Sequence, residues 1–160
     1  MSIAIFAAGC FWGIEKKFDL TKGVIKVEVG YTGGKTKNPT YEQVCYEETD
    51  HAEAVRINFD ENIITYKELL NVFWSCHNPT TLNRQGPDIG KQYRSAIFYI
   101  NDKQKLEAEE SKRIMNKTIY NNNIVTEITK FDEFYLAEDY HQKYYNNSGK
   151  VPYCHFIPKI

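Results

Sequence analysis

Cys10 is the residue best placed to do chemistry in this 160-residue chain, set between aromatic and glycine neighbours in Ala7-Ala8-Gly9-Cys10-Phe11-Trp12-Gly13. The apolar run Ile3 to Ala8 before it has strand length. After it Phe11, Ile14 and Phe18 recur at helical spacing, with Glu15, Lys16 and Lys17 on the outer side. A cysteine at such a strand-to-helix junction faces unpaired amides and the positive end of the helix dipole. Both favour an anion, so the thiolate is expected to form more readily than at the free pKa of ~8.5. Gly9 and Gly13 let the backbone turn there. The competing reading is a small buried apolar residue, which is what most free cysteines are. Phe11 and Trp12 either wall an apolar pocket beside the sulfur or are ordinary core.

The second unusual residue is Glu53. Alternation from about His51 to Phe59 places Glu53 on the face of Val55, Ile57 and Phe59, with Ala54, Arg56 and Asn58 opposite. A carboxylate on an apolar face must be paired or protonated, and burial raises a carboxyl pKa. Glu53 is therefore a candidate proton donor, unless it forms an ion pair with Arg56 or Arg94. Of the other cysteines, Cys45 is expected to be buried and inert. Cys154 lies in a segment holding Gly149 and Pro152 and is free to swing toward another sulfur. Cys76-His77 and Cys154-His155 could together supply zinc ligands, but adjacent ligands chelate poorly, and no metal site is expected. His51 and His141 are expected to be satisfied structural histidines. Gly33-Gly34 lacks the Lys-Ser/Thr and the helix of a phosphate loop.

These residues need a scaffold, and the pattern supplies one. Val24 to Tyr31 alternates as a half-wet strand, Tyr41 to Cys45 suits a short helical turn, and Glu47-Glu48-Thr49-Asp50 suits an exposed loop. Thr65 to Trp74 reads as a helix burying Tyr66, Leu69, Leu70 and Phe73. Residues 77–92 have no periodicity. A loop that long in a compact domain is usually functional, and Leu82 and Ile89 suit it as anchors across a site. Arg94 to Ile100 reads as a central strand, Asn101-Asp102 as the start of a helix to about Tyr120, Ile124 to Phe131 as a strand, and Ala137 to Tyr145 as a short helix. The expected fold is α+β, an α/β sandwich in one domain over 1–160. It has a single mixed sheet with helices packed on it, a ferredoxin-like core and an irregular C-terminal tail.

Composition agrees with a single core: 42% of residues are hydrophobic, and 12 Tyr, 9 Phe and 2 Trp can fill it while lining a site. Net charge is −1, too little to steer nucleic acid or an anionic membrane. With no ~20-residue apolar span and no basic, cleavable start, the expectation is a cytoplasmic protein, and a monomer is expected although no pattern in the sequence specifies the oligomeric state. The four cysteines should there be mostly thiols, so that any disulfide is catalytic.

Taken together the motifs resemble the peptide methionine sulfoxide reductases of the A type over nearly the whole chain. The matching blocks are Gly9-Cys10-Phe11-Trp12-Gly13, Gly30-Tyr31-Thr32-Gly33-Gly34, Tyr41 with Val44-Cys45 leading to His51-Ala52-Glu53, residues 83–95, and Ala137-Glu138-Asp139-Tyr140-His141-Gln142. Departures fall mostly in loops: Tyr46-Glu47 and Asp50 around the His-Ala-Glu block, Asn78 for an aspartate, and Leu136 for a proline. The resemblance implies reduction of methionine-S-sulfoxide, free or in oxidised proteins, as a repair reaction. The methyl group would sit between Phe11 and Trp12, and the oxygen would meet Glu53, Tyr41 and Tyr93. Asp88 would hold water and backbone at the same place. Cys10 would attack sulfur and become a sulfenic acid, which Cys154 would resolve as a disulfide for thioredoxin or another dithiol to reduce. The Tyr153-Cys154-His155 context is similar to the tails of family members with a resolving cysteine, and Cys76 is the alternative resolver. No bound cofactor is implied. A thiol peroxidase and a non-catalytic module that binds methionine-containing peptides are the competing readings.

Overall fold

The protein is described here from a computed structural model covering residues 2–144. Cys154 and the tail around it lie outside the described residues. The chain runs β1 (Ser2–Ala8), α1 (Phe11–Asp19), β2 (Val24–Thr32), α2 (Tyr41–Tyr46), β3 (Ala52–Phe59) and α3 (Tyr66–Ser75). A two-residue hairpin, β4 (Arg84–Gln85) and β5 (Asp88–Ile89), and a 3-10 turn at Lys91–Tyr93 lead into β6 (Ser95–Tyr99). Then come α4 (Asp102–Met115), continued by a π-helical turn at Asn116–Tyr120, β7 (Glu127–Lys130), β8 (Phe134–Leu136) and a 3-10 turn at Asp139–His141.

Local chemistry sets most of these boundaries. Thr40 and Thr65 open α2 and α3 with capping boxes to Gln43 and Glu68, and Asn101 accepts from the Gln104 amide to open α4. Asn121 and Asn122, both at positive φ, end the last helical turn.

Six strands form one sheet in the order β7-β6-β1-β3-β2-β8. β6 and β7 are parallel and every other pair is antiparallel. Without the edge strands β7 and β8, the order β6-β1-β3-β2 consists of two interleaved βαβ units. The α1 connection crosses over β3 and the α3 connection over β1, which is the ferredoxin-like arrangement. Register puts Phe6 opposite both Val55 and Ile97. These residues, with Val27, Val29 and Tyr31, pack beneath Phe11, Ile14 and Phe18 of α1 and Leu69, Leu70 and Phe73 of α3. Each such buried side chain stabilises the fold by roughly 1.5–3 kcal/mol. The opposite face is thinner: Ile5, Ala7, Ala52, Ala54, Ala96 and Phe98 lie under Phe131 and Phe134.

Three expectations change. The strand at 94–100 is interior, paired with β1 on one side and β7 on the other, but the middle of the sheet is held by β1 and β3; alternation within a strand says nothing about its neighbours. Residues 137–143, expected in a short helix, form only the 3-10 turn at Asp139–His141. Gln142 bonds the Val29 amide and carbonyl at 3.0 and 2.9 Å, so tertiary partners replace the helical ladder there. Glu15, expected on the outer side of α1, is 2% exposed, because the chain at 143 crosses over it. No helix of the described residues is long and apolar enough to cross a membrane.

Candidate active site

β1 stops at Ala8, and Gly9 turns the chain with φ +97; a Cβ there would sit 2.7 Å from Cγ of Gln85. Cys10 follows as the N-cap of α1, 8% exposed. The expected lowering of its pKa does not occur. Burial pushes the Cys10 thiol well up, the Glu53 and Asp88 carboxyls add to this, and the Trp12 and Gly13 amides only partly offset it. The helix start acts in the anticipated direction, but desolvation outweighs it. The resting group is a thiol.

Glu53 sits on β3 opposite Tyr31 of β2 and is 1% exposed. The Phe11 amide donates to its Oε1 at 3.2 Å, while Oε2 has no partner among the described residues. Neither alternative ion pair forms, because Arg56 bonds Glu28 at 3.0 Å and Arg94 bonds Glu127 at 2.9 Å. Burial, with Asp88 contributing and the Phe11 amide opposing, pushes the Glu53 carboxyl up to about 8. Glu53 is thus a buried acid that keeps its proton at neutral pH.

Phe11, Trp12 and Tyr41 form the aromatic wall. The rings of Phe11 and Trp12 each lie 6.4 Å from Tyr41, at 20° and 22° to it. His141, expected as a structural histidine, packs against this group. Its ring is 4.4 Å from Tyr41 and 5.3 Å from Phe11, and its Nδ1 accepts from Trp12 Nε1 at 3.0 Å. Indole can only donate, so Nδ1 is bare and the ring proton is on Nε2, which is buried without a partner among the described residues. Burial lowers the His141 pKa and Glu138 works against that, so the neutral form prevails. Glu138 accepts from the Tyr31 hydroxyl at 3.0 Å and from the Tyr41 amide at 3.1 Å, tying α2 to the site. Periodicity offers no signal for Glu138 or His141; only their place in the Ala137–Gln142 block marks them.

The aperiodic loop delivers Asp88 and Tyr93. Gln85, fully buried, bonds both the amide and the carbonyl of Asn78 at 2.8 Å, which pins the β4–β5 hairpin beside Gly9. Asp88 bears electrostatically on Cys10, Glu53 and Tyr93, and Glu53 and Cys10 bear on Tyr93, so the loop reaches the same site; Leu82 and Ile89, expected as its apolar anchors, are instead each 71% exposed, and Gln85 holds the loop in their place. Burial, then Glu53, pushes the Tyr41 and Tyr93 phenols up, which keeps both as neutral donors. Cys45 is half-buried with its sulfur bonded to the Tyr41 hydroxyl, so it belongs to the site's margin rather than to the inert core. Cys76 is in the main core with Sγ on the Phe73 carbonyl at 3.2 Å, and His77 bonds Phe73 and Ser95. Among the described residues no group of three or more His, Cys, Asp or Glu is arranged to hold a metal ion.

The family departures cost the site little. Asp50 takes φ 62, a conformation glycine adopts freely and aspartate tolerates, and it bridges Lys35 and Lys91. Asn78 Oδ1 accepts from the Thr80 amide and hydroxyl, as an aspartate would. Tyr46 projects into solvent.

Residues 2–159 match the family described as peptide methionine sulfoxide reductase. The chain is 58% identical over 147 residues to peptide methionine sulfoxide reductase MsrA of Methanosarcina acetivorans, covering 91% of this chain and 78% of that one. It is 52% identical to the MsrA of Vesicomyosocius okutanii, covering 100% and 96%. Reduced Mxr1 from Saccharomyces cerevisiae superposes with a TM-score of 0.91 at 34% identity, over 99% of this chain and 92% of that one. Methionine sulfoxide reductase A of Corynebacterium diphtheriae superposes with a TM-score of 0.89 at 36% identity, over 95% and 76%. The same fold is seen in Mxr1 solved in complex with Trx2, at 24% identity and a TM-score of 0.67. With a cysteine at a helix start, a protonated glutamate and an aromatic wall gathered in one place, the chain belongs to the peptide methionine sulfoxide reductase family, in its A-type branch.

Proposed function

We propose that this site reduces methionine-S-sulfoxide, free or within oxidised proteins, with Cys10 as nucleophile and Glu53 as acid. What supports this most directly is Glu53: a carboxyl 1% exposed that burial pushes up to about 8, with an oxygen that has no partner among the described residues, next to a buried thiol. The sulfoxide methyl group lies against Phe11 and Trp12, and its oxygen takes hydrogen bonds from Glu53, Tyr41 and Tyr93. Proton donation from Glu53 makes the sulfoxide sulfur electrophilic. The positive charge growing beside Sγ favours the thiolate that burial disfavours at rest. Overall, one oxygen atom moves from the sulfoxide to Sγ: the sulfoxide is reduced by two electrons to methionine and the thiol is oxidised to a sulfenic acid. Asp88 orders water and backbone at the reacting atoms. Cys154 then forms a disulfide with Cys10, and a thioredoxin-type dithiol supplies the two electrons that restore both thiols. The protein acts as a cytoplasmic monomer and needs no bound cofactor or metal.

A thiol peroxidase would share the sulfenic acid but would not require the aromatic wall, because peroxide has no methyl group to seat. A methionine-peptide binding module would require neither the thiol nor the neutral acid. An epimer-resolved assay with free and peptide-bound sulfoxide, thioredoxin as reductant and hydrogen peroxide as competitor tests the proposal. The S epimer should be consumed, and Cys10→Ser should lower turnover by at least ~10³-fold. Retained activity in that variant would sink the nucleophile assignment.

A further inference from the structure

His141 is 1% exposed and lies against Phe11, Trp12 and Tyr41, yet the proposed reaction gives it no part. A rigid turn delivers it there. The His141 amide donates to the Glu138 carbonyl at 2.9 Å, and the neighbouring Gln142 side chain bonds the Val29 amide and carbonyl and the Ala137 carbonyl. The imidazole is thereby fastened to β2, and its Nδ1 is a fixed acceptor. Trp12 is held differently. Its indole lies in the first turn of α1, half-buried, with Tyr144 stacked on it at 3.8 Å and 11° and Tyr41 at 6.4 Å and 22°. Stacked rings can slide and turn in their own plane at little cost, whereas a hydrogen bond prefers one direction. Nε1–H is the one polar group of an indole, so its 3.0 Å bond to Nδ1 of His141 sets the rotation of the ring. The same bond fixes the tautomer and leaves Nε2–H buried without a partner among the described residues. Bulk alone at position 141 would come from an apolar side chain with no such penalty.

We propose that His141 is a positioning residue for substrate selectivity: by accepting from the Trp12 indole it fixes the wall that seats the sulfoxide methyl group. This rests on the proposed seat of that group against Phe11 and Trp12. The reacting atoms belong to Cys10 and Glu53, whereas the hydrogen bonds of His141 go to Trp12 and Glu138. Its effect therefore falls on how tightly and how selectively the substrate is held, and not on the transfer of oxygen to Sγ. A fixed indole accepts a methyl group and resists a longer alkyl group. An indole free to turn grips the methyl group less and gives way to an ethyl group.

The test is a single turnover of the full-length reduced protein without added reductant. Methionine formed is followed at increasing methionine-S-sulfoxide, which gives a half-saturating concentration and a maximal rate. In His141→Leu the half-saturating concentration should rise about tenfold while the maximal rate stays within about threefold. Preference for methionine-S-sulfoxide over ethionine-S-sulfoxide should fall at least about threefold. His141→Asn places an acceptor oxygen near the position of Nδ1 and should restore both quantities to within about threefold. His141→Phe keeps a ring without an acceptor and supplies the comparison if His141→Leu does not fold. The chain has two tryptophans, and their indole N–H proton resonances give a readout that lost packing alone would not. The Trp12 signal should move upfield in His141→Leu and return in His141→Asn, while that of Trp74, which donates to Ser111 at 2.7 Å, stays in place. An unchanged half-saturating concentration, a maximal rate that falls as much as the affinity, or a His141→Asn protein no better than His141→Leu overturns the positioning role. Failure of the wild-type protein to form methionine would instead overturn the proposed reaction, and a Trp12→Ala protein that binds as tightly as wild type would overturn the seat of the methyl group.

Discussion

A carboxyl group with one oxygen on an amide and the other without a partner among the described residues becomes charged only at a cost to the fold, and Glu53 shows the sign of that cost. An unfolded glutamate releases its proton near ~4.3, whereas folded Glu53 holds it up to about 8. Between those values the folded state binds the extra proton. The Glu53 contribution to stability is therefore most favourable below the unfolded pKa, declines as pH rises through this window and levels off above about 8. Glu53→Gln removes the penalty. It should be more stable than wild type by several kcal/mol, on the order of 5, at pH 8 and by less than about 1 at pH 4.5. Urea unfolding of the two proteins at both pH values measures this, and an equal difference at the two would contradict the buried-acid assignment. The same variant should lose ~10²–10⁴-fold in sulfoxide reduction, because it has no proton to give. Wild-type reduction should fall as pH rises past about 8. His141 is held neutral by the same cause acting on a base: protonation would put a hydrogen on Nδ1, where the Trp12 indole already donates.

Above single residues, the segment between α3 and β6 shows what an aperiodic element contributes. Its order comes from Gln85, whose amide bonds the Asn78 backbone twice and whose stem fills the space that Gly9 leaves open. Gln85→Leu keeps the bulk and loses both bonds. It should lower stability by about 1–3 kcal/mol and reduce kcat more than it raises KM, since Asp88 and Tyr93 ride on this segment. Thermal melts and steady-state kinetics check the two effects, and a variant with unchanged kcat would mean that the loop needs no such pin. Elements of this kind also mark where sequence reasoning ends. β1, α1, β3 and α3 were legible because alternation and helical spacing are local, and so were Cys10 and Glu53, each of which breaks a local pattern. The burial of Glu15, the irregular path from 137 to 144 and the Trp12–His141 bond depend on partners more than a hundred residues apart, and sheet order on pairings between strands that are not neighbours in sequence. No spacing rule reaches that far. The charge on Cys10 was misjudged for a related reason: the helix start is visible in the pattern, whereas the depth of burial around it is a property of the assembled fold.

At the scale of the whole molecule, recycling requires two sulfurs to meet. With a net charge of −1 the protein has no large field to draw a partner in, so recycling depends on which sulfurs the fold lets meet. Cys76 is enclosed in the main core with its Sγ on a backbone carbonyl, and reaching Cys10 would require opening the packing between α3 and the sheet. Cys45 is half-buried on α2 beside Tyr41, which makes it the nearer competitor among the described cysteines. Cys154 lies outside the described residues, and its proposed role is tested by substitution. After one turnover without reductant, wild type should lose two thiols and Cys154→Ser one, with a dimedone-reactive Cys10 remaining in the variant. A Cys154→Ser protein that still loses two thiols and forms a disulfide would transfer the resolving role to Cys45. A further Cys45→Ser change should then abolish that disulfide, whereas Cys76→Ser should leave it intact.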